Sequence, residues 1–240
     1  MKINYVVAFY ITDNSITLER NNLYHSVDKF YAVKCHIEAL IAFHNPDIVK
    51  ATFVINKSNC VNVGDVETIV NSYKQNKILI EVKYRDNWGL SYGAWEYHIR
   101  ETINEDYDYY FLTEDDYCLS NDTFYDIFYK KFTDNTAKVC GLYTNHPSIS
   151  YGLVSSKICK KILDSYGEIF PTYNERLNNK KNEYNSWQGY YHLNFIKAGY
   201  EIKDITDVSF VLYKRARYII VFANGNFIEN SSHSNITPLL

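Results

Sequence analysis

Glycine and proline are scarce: 9 Gly and 4 Pro in 240 residues, below the usual shares of about 7% and 5%. A chain so poor in both is neither collagen-like nor a low-complexity polymer. The five cysteines (Cys35, Cys60, Cys118, Cys140 and Cys159) form no C-x-x-C pair, and their odd number leaves one over. That spacing argues against a structural zinc and for a reduced, intracellular protein. No apolar run approaches the ~20 residues that a membrane span needs. The first apolar stretch, Tyr5–Ile11, has the length of a strand and not of a secretion signal. We therefore expect a soluble, cytoplasmic chain with no integral membrane segment. A net charge of −3 supplies no global attraction for nucleic acid, which is not an expected partner.

What is present points to a folded domain. Hydrophobic residues make up 46% and charged residues 22%, the balance of a chain that buries a core. The length suits one domain, expected over residues 1–223, followed by a polar tail over 224–240. Tyrosine is abundant at 24, and Lys outnumbers Arg by 19 to 6. Tyrosine rings suit clefts that stack on sugars or bases, although a coding preference for Tyr, Asn and Lys explains the same counts.

Apolar periodicity predicts an alternation of strands and helices. Strands are expected at Val6–Ile11, Ala51–Ile55, Ile78–Val82 and Tyr109–Leu112. Between them, helical spacing appears at Phe30, Val33, Ile37, Leu40 and Ile41, with Ser26 as a candidate N-cap. It recurs at Val66, Ile69, Val70 and Tyr73, with Asp65 as the cap, and at Ser91, Trp95, Ile99 and Ile103. This β-α-β-α-β-α-β order implies right-handed crossovers and a mainly parallel sheet. Further on, Phe124, Phe128 and Phe132 suggest a helix and Val139–Tyr143 a strand. Helices at Ser155–Tyr166 and Trp187–Ala198 and strands at Val208–Tyr213 and Tyr218–Phe222 complete the pattern.

The fourth strand runs straight into Glu114-Asp115-Asp116. In open α/β sheets, ligands bind outside the carboxyl ends of the strands. Adjacent carboxylates repel, and a divalent cation offsets that repulsion; Mg²⁺ or Mn²⁺ with oxygen ligands and substrate phosphates is the natural occupant. Acids also suit a helix N-terminus, so the other reading is a plain acidic turn. No G-x-x-x-x-G-K-[ST], G-x-G-x-x-G or H-E-x-x-H motif occurs, which removes the P-loop, dinucleotide and zincin readings.

The stretch Asp86-Asn87-Trp88-Gly89-Leu90-Ser91-Tyr92-Gly93-Ala94-Trp95, a helix, and then Asp108 to Asp116 resemble the nucleotide-sugar glycosyltransferases of GT-A fold, nearest to the family 2 type. There an N-x-G-x-x-x-G-like turn and helix precede a strand that ends in an acidic D-x-D-type motif. The resemblance spans roughly residues 3 to 120. It implies an α/β fold, a GT-A-like, Rossmann-type three-layer sandwich around a mainly parallel sheet. It also implies a nucleotide-diphosphate sugar donor, a glycan or other hydroxyl acceptor, and Mn²⁺ or Mg²⁺. By this likeness Tyr10, Thr12 and Asn56 line the nucleotide pocket, and Arg85, Asp86 and Asn87 close it beside the base and ribose, with Gly93 of the N-x-G-x-x-x-G-like turn and helix also among the nucleotide-sugar-binding residues. The family often carries Asp where this chain has Asn56; Asn offers both a donor and an acceptor, which leaves the base open.

The acidic motif admits two registers. Read as Glu-Asp-Asp, it makes Asp116 the metal ligand, with Glu114 and Asp115 holding ribose or metal-bound water. Read from Leu112, it puts Thr113 in the first acidic place and moves Asp115 up. Inverting transfer needs a carboxylate that takes the acceptor proton. At the family's place for it stands Gln188, which cannot serve, so Glu183 is the candidate, with Glu175 behind it; a solvated loop is the plainer reading of Glu183. His233 is the candidate third metal ligand, on the model of GT-A enzymes that supply a His near the C-terminus. Lys214, Arg215 and Arg217 suit either a diphosphate clamp or a solvated turn. Trp95 and Trp187 suit acceptor stacking or the core. Gln188 also keeps open a binding protein of this fold that lacks catalysis. A sugar nucleotidyltransferase would need a Gly-rich basic loop after the first strand, which Thr12-Asp13-Asn14-Ser15 does not supply.

Overall fold

Seven of the eight residues of the first strand, β1 (Ile3–Tyr10), are buried. A run this continuously apolar suits only a central strand covered on both faces. In the computed structural model it is central. The structure describes residues 1–11, 16–20, 23–27, 29–43, 45–73, 78–115, 117–119, 151–170, 193–200, 210–213, 219–223 and 226–228.

After β1 come a hairpin of β2 (Ile16–Arg20) and β3 (Leu23–Val27), helix α1 (Tyr31–Ala42), β4 (Ile48–Asn56) and α2 (Asp65–Ser72). Then follow β5 (Ile80–Arg85), α3 (Leu90–Thr102), β6 (Tyr109–Glu114), β7 (Tyr117–Leu119) and β8 (Tyr151–Ser155). Helices α4 (Ser156–Tyr166) and α5 (Leu193–Lys197) and strands β9 (Phe210–Tyr213), β10 (Ile219–Ala223) and β11 (Asn226–Ile228) complete the order. The main sheet runs β5-β4-β1-β6-β8. Its first four strands are parallel and β8 is antiparallel. A second sheet runs β11-β10-β9-β7. The expected mainly parallel α/β architecture is present.

Period-two alternation gives the main sheet two apolar faces. Tyr5, Val7, Phe9, Phe53 and Ile55 pack with Val33, Ile37 and Leu40 of α1. Val6, Ala8, Val54, Tyr110 and Leu112 pack with Ala94, Trp95 and Ile99 of α3 and Ile162 of α4. Trp95 is fully buried and its indole Nε1 donates to the Thr113 carbonyl at 3.2 Å. It is a core residue, not a stacking platform for an acceptor.

Several expectations need correction. Ser26 lies within β3, and α1 begins after Phe30 without a side-chain cap. Asp65 is the first residue of α2, and the residue before it is Gly64. The Tyr84 hydroxyl caps this helix instead, accepting from the Gly64 and Val66 amides at 3.1 and 3.3 Å. Asn226–Ile228, placed in the polar tail by composition, pairs with β10. The helix expected at Trp187–Ala198 is described over Leu193–Lys197 only. The segments around Phe124–Phe132 and Val139–Tyr143 lie outside the described residues.

Candidate active site at the strand ends

The chain leaves β1 in one direction to build β4 and β5, and returns on the other side to build β6. That reversal, between β1 and β6, is the switch point where doubly wound sheets open a crevice. One contact closes its floor. The Tyr10 amide donates to Asp115 Oδ2 at 3.0 Å, while the Asp115 amide donates to the Ala8 carbonyl at 3.0 Å. The acidic turn after β6 is thus bolted to the exit of β1. Glu114, half-buried, is the register partner of Ala8.

Beside it, three expected pocket residues stand in one row. Tyr10 pairs with Asn56, and Asn56 pairs with Arg85, each the last residue of its strand. In register on parallel strands, their side chains share the α3 face. Tyr10 is 39% exposed, whereas Asn56 and Arg85 keep 3% and 4%. A guanidinium so buried needs compensation. Its Nη1 donates to Asn56 Oδ1 at 2.6 Å and its Nη2 to the Trp88 carbonyl at 2.7 Å. The guanidinium carbon lies 4.2 Å from the centre of the Trp88 ring, a cation–π contact. Burial lowers the Arg85 pKa to about 10 against the opposing charge of Asp86, so Arg85 is a cation at neutral pH.

Gly93 serves this cradle. A Cβ there would lie 2.1 Å from the Trp88 carbonyl oxygen and 3.1 Å from both terminal nitrogens of Arg85. Gly89, at φ +67°, makes the left-handed turn that starts α3. The α3 N-terminus has no side-chain cap and no acid in its first turn. Asp86 and Asn87 are exposed at the rim, and Asp86 pairs with Lys57 at 3.1 Å. Ser58 Oγ donates to the Ile11 carbonyl at 2.5 Å, tying the exit of β4 to that of β1.

Two supporting residues escaped the sequence. Trp88 holds Arg85 through both its ring and its carbonyl; its place just after Arg85-Asp86-Asn87 was the available signal. His36 of α1, fully buried, sits against the main chain of Glu114 and Asp115. Burial depresses its pKa to about 4 although those carbonyls oppose the shift. It is therefore a neutral ring under the acidic turn, and nothing in the helical pattern distinguished it from a core position.

Glu114 and Asp115 are hard oxygen donors of the type that Mg²⁺ or Mn²⁺ prefers. Among the described residues, no group of three or more His, Cys, Asp and Glu gathers to hold a metal. Asp116 and His233, the expected ligands, lie outside the described residues, as do Thr12, Glu175, Glu183, Gln188, Trp187 and the Lys214–Arg217 cluster.

Among the solved structures whose fold this chain resembles are two glycosyltransferases. Residues 1–349 of TarS from S. aureus superpose with a TM-score of 0.52 at 13% identity, over 88% of this chain and 59% of that one. The chain has the GT-A type of fold. The mannosyltransferase PcManGT from Pyrobaculum calidifontis, solved with GDP-Man and Mn²⁺, gives 0.55 at 10% identity over 85% of this chain and 54% of that one. TarS 1–349 in complex with UDP gives 0.50 at 15% identity, with 88% and 59% covered. The chain thus spans somewhat over half the length of these structures. No protein-family model and no curated protein matches the sequence. Among the described residues, no helix is long and apolar enough to cross a membrane.

Proposed function

We propose that this protein is a metal-dependent glycosyltransferase that moves a sugar from a nucleotide-diphosphate sugar to an acceptor hydroxyl with inversion. The observation that carries the reading is the joined strand-end site. An acidic turn is bolted to β1 across the switch point, beside the polar row of Tyr10, Asn56 and Arg85. The GT-A fold supports it. In this reading Tyr10, Thr12, Asn56 and Arg85 bind the nucleoside, with Asp86 and Asn87 at the rim.

Asp116, with Glu114 and Asp115 beside it and His233 from the C-terminal segment, would hold Mn²⁺ or Mg²⁺. When bound, the metal supplies charge neutralisation for the departing diphosphate. The acceptor oxygen forms a bond to the anomeric carbon as the bond from that carbon to the diphosphate oxygen breaks. Glu183 takes the acceptor proton.

Replacing Asp116 tests the metal assignment, because the residue serves a ligand in this reading and not the core. Asp116→Asn is expected to abolish most Mn²⁺-dependent binding of nucleoside diphosphate, measured by calorimetry, at unchanged melting temperature. Binding with undiminished metal dependence would overturn the assignment.

A further inference from the structure

The contact between Arg85 and Asn56 does more than hold two side chains together. An amide can be turned either way by half a rotation, but a guanidinium only donates. The atom facing Arg85 Nη1 at 2.6 Å must therefore be the Asn56 oxygen. Arg85 cannot turn to relax this choice. Its other terminal nitrogen is bound to the Trp88 carbonyl, its face lies over the Trp88 ring, and Gly93 closes behind it. What remains of Asn56 is Nδ2, a group with two N–H donors and no lone pair to offer. Among the described residues the Asn56 side chain makes only the bond that its Oδ1 accepts, and the buried Arg85 Nε has no acceptor. The site has an excess of donors beside a fixed cation.

We infer that Asn56 selects the base of the donor nucleotide: it admits a base whose pairing-edge ring nitrogen is an unprotonated acceptor, as in cytosine or adenine, and disfavours uracil and guanine. The inference rests on the reading above, in which a nucleotide occupies these strand ends. The chemistry is that of opposed groups. Cytosine N3 and adenine N1 carry a lone pair that accepts from Nδ2. Uracil N3 and guanine N1 carry a hydrogen, so that two donors would face one another and neither would be paired. A buried group left unpaired is disfavoured by tenfold or more. An aspartate at this position would behave in the opposite way. One carboxylate oxygen would accept from Arg85 and the other would face the base as an acceptor. The difference between the two chemistries is a single atom.

The test is calorimetric titration of the wild-type protein with CDP, ADP, UDP and GDP in Mg²⁺ buffer, repeated on Asn56→Asp. CDP or ADP is expected to bind at least about tenfold more tightly than both UDP and GDP, the better of the two identifying the base. In Asn56→Asp the order is expected to reverse toward UDP or GDP. Tighter binding of UDP or GDP by the wild type overturns the inference and leaves the nucleotide-sugar reading standing. Binding of none of the four overturns both. The wild-type ranking decides the matter even if Asn56→Asp fails to fold.

Discussion

At the scale of single residues, the site depends on an arginine that is buried and yet charged. Arg85 is tolerated because both terminal nitrogens and one face of its guanidinium are answered, by an amide oxygen, a carbonyl oxygen and an indole ring. Gly93 is what lets α3 approach closely enough for this. Any side chain at 93 must displace the Trp88 carbonyl, which is backbone and cannot swing aside. Gly93→Ala is therefore expected to cost about 1–3 kcal/mol of stability, the usual range for overpacking. It should also weaken nucleotide binding, because the Arg85 cradle moves. Urea denaturation measures the first effect and calorimetry the second. An alanine variant of unchanged stability would show that the turn from Asp86 to Gly89 yields freely.

At the scale of elements, among the described residues each face of the sheet carries one buried histidine. His36 of α1 packs against Phe9 and Phe53, and His98 of α3 lies 2.9 Å from Asn4 through Nε2. Burial lowers their pKa values to about 4 and about 3, with Lys83 and Lys50 adding to the effect at His98. Unfolding frees both to take up protons below the ordinary value of 6.5. The unfolded chain then binds more protons than the folded one, so stability is full above pH 6.5 and falls as the pH drops toward 4 and 3. Each histidine contributes a slope of about 1.4 kcal/mol per pH unit within its window. His98→Gln, which keeps an acceptor near Asn4, is expected to remove about that much from the slope between pH 6 and 4. Denaturant midpoints at several pH values measure it, and an unchanged slope would contradict the assignment of His98 as neutral.

The elements also show what the sequence made legible. Continuous apolar runs marked β1, β4 and β6, because a strand covered on both faces needs no polar alternation. The acids after Leu112 and the polar residues at 10, 56 and 85 stood out because they end such runs. The β2–β3 hairpin did not, since its residues carry no apolar run and read as loop. Strand β8 was hidden within Tyr151–Ser155, just ahead of a helix whose periodicity is stronger. Capping by Tyr84 was invisible for a different reason: the cap comes from a strand that is distant in sequence, and local rules propose Asp65.

At the scale of the whole molecule, the chain sets a doubly wound sheet beside a second, smaller sheet whose last strand is Asn226–Ile228. In the proposed reading, the segment beyond it brings His233 to the diphosphate. Imidazole nitrogen is a softer donor than carboxylate oxygen and favours Mn²⁺ over Mg²⁺. Truncation after Asn230 is therefore expected to weaken Mn²⁺–nucleotide binding more than Mg²⁺–nucleotide binding, with β11 left in place. Equal affinity in Mn²⁺ before and after truncation would remove His233 from the site.

The central claim is transfer, and release of nucleoside diphosphate from a panel of nucleotide sugars tests it most directly, with water as the slow acceptor. The account predicts that the protein with Mn²⁺ releases diphosphate from at least one nucleotide sugar. It also predicts that EDTA stops the release, and that Glu183→Gln slows it by about 10²–10⁴-fold at nearly unchanged donor affinity. Tight binding of a nucleotide sugar with no diphosphate released in the presence of Mn²⁺ or Mg²⁺ would contradict it, and would make this GT-A fold a binding protein.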